Sequence, residues 1–225
     1  MTMRLFNYFR SSASFRVRIA LALKNIPYEY VPVHLVRGWV DPLTGMNGGE
    51  QFGAAYQAQN PMAQLPTLEL TLDGKTHLVS QSIAIMELLE ELYPEPSILA
   101  RDAFLRARTR ELAEIINSGI QPHQNLAPMK RIDALQAGAG KANAQHYNRL
   151  GLAAYEERVK ETAGKFSVGD APSMADICLY PQLITARRFV IDLAPYPTLL
   201  AIEAACREVP AFIAAAPDKQ PDFEA

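Results

Sequence analysis

None of the short motifs that serve phosphate, dinucleotide, zinc or dithiol chemistry occurs in the chain: there is no P-loop, no GxGxxG, no HExxH and no CxxC. The four histidines are scattered, so no metal is expected. Cysteine is scarce. Cys178 and Cys206 lie far apart in apolar, helix-like stretches, which argues against a disulfide framework and for a reducing, cytoplasmic setting. No run approaches the roughly 18 apolar residues of a membrane helix, and MTMRLFNYFR has no long apolar h-region, so neither a membrane nor export is expected. An excess charge of one sign is missing too. With 22 basic and 24 acidic residues the net charge is −2 and the pI about 6.1, which gives no global attraction to nucleic acid or anionic lipid. Any bound anion must be held by local groups.

What is present is a chain of 225 residues, 49% of them hydrophobic, enough for one large or two small domains. Arg4 to Phe9 alternates apolar and polar, as a strand does. From Ser12 the pattern changes to an amphipathic helix with Arg16, Arg18 and Lys24 as its basic face, stopped at Asn25–Pro27 and followed by a strand over Tyr28–Val33. Such a β-α-β opening pairs its strands in parallel by default. Residues 36–49, rich in glycine, read as a loop long enough to suspect function or mobility. Glu50–Ala58 reads as a short helix. Thr67–Leu72 and Thr76–Val79 are predicted strands joined by the Asp73-Gly74 turn, and Ser80 and Ser82 offer N-caps for a helix over Ile83–Leu92. Past Tyr93-Pro94-Glu95-Pro96 the periodicity is helical: Ala103–Asn117, Ala142–Thr162, Met174–Arg188, behind a Ser173–Asp176 capping box, and Thr198–Arg207. The expected division is 1–93, a linker over 94–100, and an all-helical unit over 101–225.

Chemistry in such a chain must come from hydroxyls and helix ends. A strand running into Ser11 at a helix start offers unpaired N–H groups, half a positive charge and a hydroxyl that can donate to a thiolate. Plain N-capping explains the same serine. Gln81-Ser82, at the next helix start, reads as a cap or, functionally, as a carboxylate site. Leu65-Pro66 precedes a strand, where a cis bond would turn the Leu65 backbone toward an extended peptide, although most X-Pro bonds are trans. Gln121, His123 and Asn125 form a polar cluster bracketed by Ile120, Pro122 and Leu126. Arg187-Arg188 ends an apolar helix, either as a clamp for a dianion or as a solvated end that suits the dipole.

Together these pieces resemble the zeta class of glutathione transferases, the maleylacetoacetate isomerase family. The family motif SSCxWRVRIAL is matched by SSASFRVRIAL, Ser11 to Leu21. NPMAQLPTL, QSIAIMELLEELYP, GIQPHQNL, VGDAPSMADICLYPQ and DLAPYPTL, between Asn60 and Leu199, also read as family sequence. The resemblance implies an α/β thioredoxin-like N-terminal domain plus an all-α C-terminal domain, the glutathione transferase fold, assembled as a homodimer, with Leu65-Pro66 cis. It implies glutathione as cofactor, with Ser11 facing the sulfur and Ser12 close by. Gln51, Leu65, Gln81 and Ser82 would hold the peptide and γ-glutamyl end. Gln121, Asn125 and, more weakly, His123 would reach the ligand from the helical domain. The implied reaction is cis-trans isomerisation of a small dicarboxylic maleyl ketoacid, maleylacetoacetate or alternatively maleylpyruvate, with Arg10 and Arg187 or Arg188 as candidates for its carboxylates. Conjugation of halogenated acids, or binding without catalysis, are the other readings.

Two departures from the family bear on chemistry. Its cysteine is Ala13 here and its tryptophan Phe15. Isomerisation needs no protein thiol, whereas reductive dehalogenation through a mixed disulfide does. The loop after His34 also looks long. Arg37 and Trp39 within it either cover the site and tune substrate choice or belong to a tolerated insertion.

Overall fold

The structure, a computed structural model, describes residues 2–40 and 47–224. It divides into two compact units, residues 1–96 with 211–225, and residues 97–210.

The first unit is built on a four-stranded sheet in the order β2-β1-β5-β6. Its strands are β1 (Met3–Asn7), β2 (Glu29–Pro32), β5 (Thr67–Leu72) and β6 (Lys75–Ser80). β1 runs parallel to β2 and antiparallel to β5, and β5 antiparallel to β6, so Leu5 stands opposite Tyr30 on one side and Leu68 on the other. Leu5, Leu68 and Leu70 are buried because β1 and β5 occupy the sheet centre. Asp73 and Gly74 both take positive φ and turn β5 into β6, the conformation for which Asp-Gly is suited. The expected β-α-β opening is present, with α1 (Ser12–Leu23) as the crossover. α3 (Ser82–Leu92) packs beside α1. Leu65-Pro66 is cis, and so is Glu95-Pro96.

The reading of α1 as amphipathic with a basic solvent face is corrected. Arg16, Arg18 and Lys24 are all buried, at 0%, 1% and 6% exposure. Arg18 and Lys24 are buried with several acceptors each, which makes their desolvation tolerable, and Arg16 donates Nη1 to Ser82 Oγ at 3.2 Å. Lys24 Nζ donates to Glu90 (2.7 Å) and to the Tyr93 and Pro96 carbonyls (2.6 and 2.9 Å). Arg18 donates to Asn7 Oδ1 (3.0 Å) and to the carbonyls of Tyr8, Phe9 and Ala215 (3.3, 3.1 and 3.1 Å). Helical spacing alone cannot see such partners.

Residues 36–49 are not a plain loop. β3 (Gly38–Val40) and β4 (Asn47–Gly49) pair antiparallel, with Trp39 opposite Gly48, and residues 41–46 between them lie outside the described residues, as does the Trp39 side chain. Glycine is required at 49, where an added Cβ would collide with the Leu35 carbonyl and the Gln51 side-chain oxygen. A 3₁₀ turn, Glu50–Phe52, and α2 (Ala54–Gln57) complete the connection to β5.

The second unit holds α4 (Ala103–Asn117), α5 (Gln121–Gln124), α6 (Leu126–Leu135), α7 (Ala139–Val159), α8 (Met174–Arg188) and α9 (Pro197–Arg207). Leu112, Ile116, Leu152, Tyr155, Ile177 and Leu183 are buried from α4, α7 and α8. Asp176 accepts from the Ser173 N–H (2.8 Å), as the capping box predicts, and also from the Ser173 hydroxyl (2.7 Å) and Ser167 N–H (2.8 Å). Burial pushes the Asp176 carboxyl up despite these bonds.

The expected helical unit of 101–225 loses its end. From Ala211, within α10 (Pro210–Ala214), the chain belongs with the sheet unit. The cause is visible in polar partners: Ala215 supplies a carbonyl to Arg18, and Asp222 accepts from Phe9 N–H and the Tyr30 hydroxyl.

Candidate functional site

In the first unit, the link from β1 to α1 presents Arg10, Ser11 and Ser12. Ser11 is the N-cap: its Oγ accepts Ser14 N–H at 3.1 Å, and its own N–H closes the turn on Tyr8 O at 3.0 Å. Capping and thiolate donation therefore do not compete. Accepting Ser14 N–H uses a lone pair, and the hydroxyl hydrogen is left to donate. Ser11 and Ser12 are half-buried, and Arg10 is exposed with its guanidinium 5.3 Å from the Phe9 ring centre.

At the start of α3, the expectation that Ser80 or Ser82 caps the helix is corrected. Ser80 ends β6, and the cap position is Gln81, an exposed residue at φ 73° whose side chain makes no capping bond. Ser82 is the first helical residue, buried, with Oγ accepting from Arg16 Nη1 at 3.2 Å. A helix start without a side-chain cap, backed by a buried cation, favours a carboxylate. Gln81 Nε2 lies 3.4 Å from Gln64 Oε1. Gln64 O in turn accepts from the Tyr56 hydroxyl (2.6 Å) and Asn60 Nδ2 (2.7 Å), which pins the approach to Leu65. Burial pushes the Tyr56 phenol up to about 12, so it stays a donor. Gln51 is buried, with Nε2 donating to Leu35 O at 3.2 Å and Oε1 lacking a hydrogen-bond partner.

In the second unit, Gln121, His123 and Asn125 share one short stretch. Gln121 opens α5, and its buried Oε1 lacks a partner. His123 is stacked on Tyr147, with ring centres 3.4 Å apart and 5° between planes. Asn125 occupies the cap position of α6 without a capping bond from its side chain. α5 is anchored by buried amides: Gln124 and Gln182 exchange bonds of 2.8 and 3.2 Å, and Asn148 joins both at 3.0 and 2.6 Å.

Arg187 and Arg188, the candidates for a substrate carboxylate, end α8. Arg187 sends Nη1 and Nη2 to the two oxygens of Glu203 (2.6 and 2.5 Å), and Arg207 Nη2 adds a third bond at 3.0 Å. Burial would raise the Glu203 carboxyl, but the two guanidiniums together outweigh it and hold it below the ordinary range. Arg187 is thus engaged by a side chain of its own unit, and both arginines are exposed. Sequence reasoning missed Asp222, Tyr30, Tyr56 and Asn60. Of these only Asn60 carried a signal, through the Asn-Pro step.

The two cysteines offer no thiol here. Both are free and buried, and burial pushes the Cys206 thiol up. Among the described residues no group of three or more His, Cys, Asp or Glu could hold a metal, and no helix is long and apolar enough to cross a membrane.

Residues 10–92 match the family of the glutathione S-transferase N-terminal domain. The chain is 45% identical to the maleylacetoacetate isomerase of Rattus norvegicus over 223 residues, 98% of this chain and 95% of that one. It is similar to the solved maleylacetoacetate isomerase from Anaeromyxobacter dehalogenans 2CP-1 with glutathione bound in the active site, at 49% identity and TM-score 0.86, covering 99% of this chain and 98% of that one. A bacterial maleylpyruvate isomerase, described as a zeta-class glutathione transferase, matches at 39% identity and TM-score 0.85, covering 98% and 100%.

Proposed function

Because the chain belongs to the zeta-class glutathione transferases, the maleylacetoacetate isomerase family, we propose that it is a glutathione-dependent isomerase converting a maleyl ketoacid, foremost maleylacetoacetate, to its fumaryl isomer. The observation that carries this reading is the Ser11 turn, where a cap hydroxyl retains its hydrogen at the positive end of α1.

The residues fit glutathione. The start of α3, with Ser82 and buried Arg16, suits a carboxylate. The buried, partnerless oxygens of Gln51 and Gln121 suit N–H or ammonium donors. When bound, glutathione supplies a reversible nucleophile, so that the cis double bond becomes a single bond, rotates, and re-forms trans with the thiol returned. Ser11 donates its hydroxyl hydrogen toward the sulfur, and the α1 N-terminus lowers the cost of the negative charge there. Ser12 stands beside it as a second donor. Leu65 and Gln81 are the candidates for the peptide, and Asn125 and His123 remain further ligand candidates on the resemblance alone. Arg10 and Arg188 take the substrate carboxylates and stabilise the charge that develops on its carbonyl oxygen.

Ala13 and the burial of both cysteines argue against chemistry that must resolve a mixed disulfide. The likeness to a maleylpyruvate isomerase along the whole chain supports maleylpyruvate as the second reading. We take the working protein to be a cytoplasmic homodimer, which sedimentation and fractionation test.

The deciding experiment is an absorbance assay on maleylacetoacetate and maleylpyruvate, each with and without glutathione. Turnover of at least one substrate, strictly dependent on glutathione, is expected. Equal turnover without glutathione would overturn the mechanism, and turnover of neither would overturn the assignment.

A further inference from the structure

The main chain around Ser11 is held by groups remote from it in sequence. From α1, Arg18 donates Nη2 to Phe9 O at 3.1 Å and Nη1 to Tyr8 O at 3.3 Å. From the C-terminal tail, Asp222 accepts Phe9 N–H through Oδ2 at 3.1 Å and the Tyr30 hydroxyl through Oδ1. Both polar groups of the Phe9 peptide therefore have charged side-chain partners. The Phe223 ring meets Phe9 edge-on, with centres 5.5 Å apart, and Phe9 is buried. Burial, helped by the bond to Asp222, pushes the Tyr30 phenol far up, so it remains a donor. Ser11 N–H closes on Tyr8 O in the same turn, so any shift of Phe9 carries Ser11 with it.

We propose that Asp222 is a positioning residue for the Ser11 hydroxyl, acting through Phe9 N–H, so that the C-terminal tail is part of the machinery that holds the thiolate. The proposal rests on the glutathione reading of that turn. Without the carboxylate, a buried N–H loses its acceptor and the turn is free to relax toward another partner. Misplacement of a donor costs rate steeply. The sign of the effect on the thiol separates this role from simple electrostatics. Removing a nearby negative charge by itself favours a thiolate, whereas loss of the oriented hydroxyl disfavours it.

The test compares wild type, Asp222→Ala, Asp222→Asn, Tyr30→Phe and, as an exposed tail control, Asp218→Asn. The thiolate's ultraviolet absorbance in the binary glutathione complex is titrated with pH, and amide hydrogen exchange is followed at Phe9 in the free protein. For Asp222→Ala, faster Phe9 exchange is expected. A roughly tenfold smaller thiolate fraction near neutral pH should accompany it. Turnover should fall roughly tenfold to a hundredfold. Asp222→Asn, whose Oδ1 still accepts an N–H, should recover part of the loss and carries the same test should the alanine variant not fold. Tyr30→Phe should have a smaller effect, and Asp218→Asn none. A thiolate fraction unchanged or increased in Asp222→Ala, with wild-type turnover, would overturn the proposal. Absence of any thiolate in the wild-type complex would overturn the glutathione reading itself, and the proposal with it.

Discussion

Arg187 holds both oxygens of Glu203 at 2.6 and 2.5 Å, and its neighbour Arg188 lies in the same last turn of α8. The pair Arg187-Arg188 reads from sequence as two equivalent cations, because Glu203 lies sixteen positions further on and no local pattern connects them. Their variants should therefore differ in kind. Arg187→Ala leaves a carboxylate that is only 3% exposed with Arg207 as its remaining cation. Removing one partner of a buried pair is costly, but Arg187 is itself 41% exposed, so solvent screening reduces the loss to about 1–2 kcal/mol. For a chain of this length that is a fall in Tm of roughly 2–8 °C, read by calorimetry. Arg188→Ala should leave Tm within roughly 2 °C, and lower kcat/KM on the maleyl ketoacid at least tenfold, or about 1.4 kcal/mol. If instead Arg187→Ala lowered kcat/KM at unchanged Tm and Arg188→Ala lowered Tm alone, the substrate carboxylate would be assigned to Arg187. Ser11 shows what sequence could and could not settle at this scale. Its place at a helix start was readable, but that capping leaves its hydrogen to donate follows only from seeing Ser14 N–H as the bonded partner.

Among elements, those whose apolar pattern is strong were legible and those held by polar partners were not. α4 and α8 run over the predicted residues because their buried leucines and isoleucines recur at helical spacing. α6 has no buried residue at all, so it carries no stripe to read. α5 is seated by Gln124, Asn148 and Gln182, amides whose sequence positions give no hint that they meet. The joint of α8 with α9 through Glu203 has a consequence for pH. The carboxyl is held below its ordinary 4.5, so its contribution is complete above that value and is lost as pH falls through the lower folded-state value. Wild type should thus be more stable than Glu203→Gln at about pH 6, and the gap in Tm should narrow as pH is lowered toward about 3.5. A gap that stays constant across that window would mean the carboxyl is not held by Arg187 and Arg207.

For the whole molecule, the division of the chain differs from what a linear reading allows. The Pro-rich stretch near residue 94 signals where the sheet unit is left, but nothing in residues 211–225 announces a return to it. The return depends on single groups, Ala215 O accepting from Arg18 and Asp222 on Phe9 and Tyr30, with Gln220 Nε2 closing the tail on itself at the Ala214 and Ala216 carbonyls (3.0 and 2.8 Å). Arg18 is 1% exposed, so an acceptor lost there cannot be replaced by water without opening the β1–α1 link. A chain ending at Ala214 should accordingly be less stable by roughly 2–4 kcal/mol, the cost of leaving a buried guanidinium N–H and a buried peptide N–H unsatisfied. That corresponds to a Tm lower by roughly 5–15 °C. Because these losses fall on the sheet unit, hydrogen exchange in the truncated chain should quicken first in β1 and α1, with α4 and α8 close to their wild-type protection. Equal quickening of both sets, or none, would show that the tail is not an integral strap of the first unit.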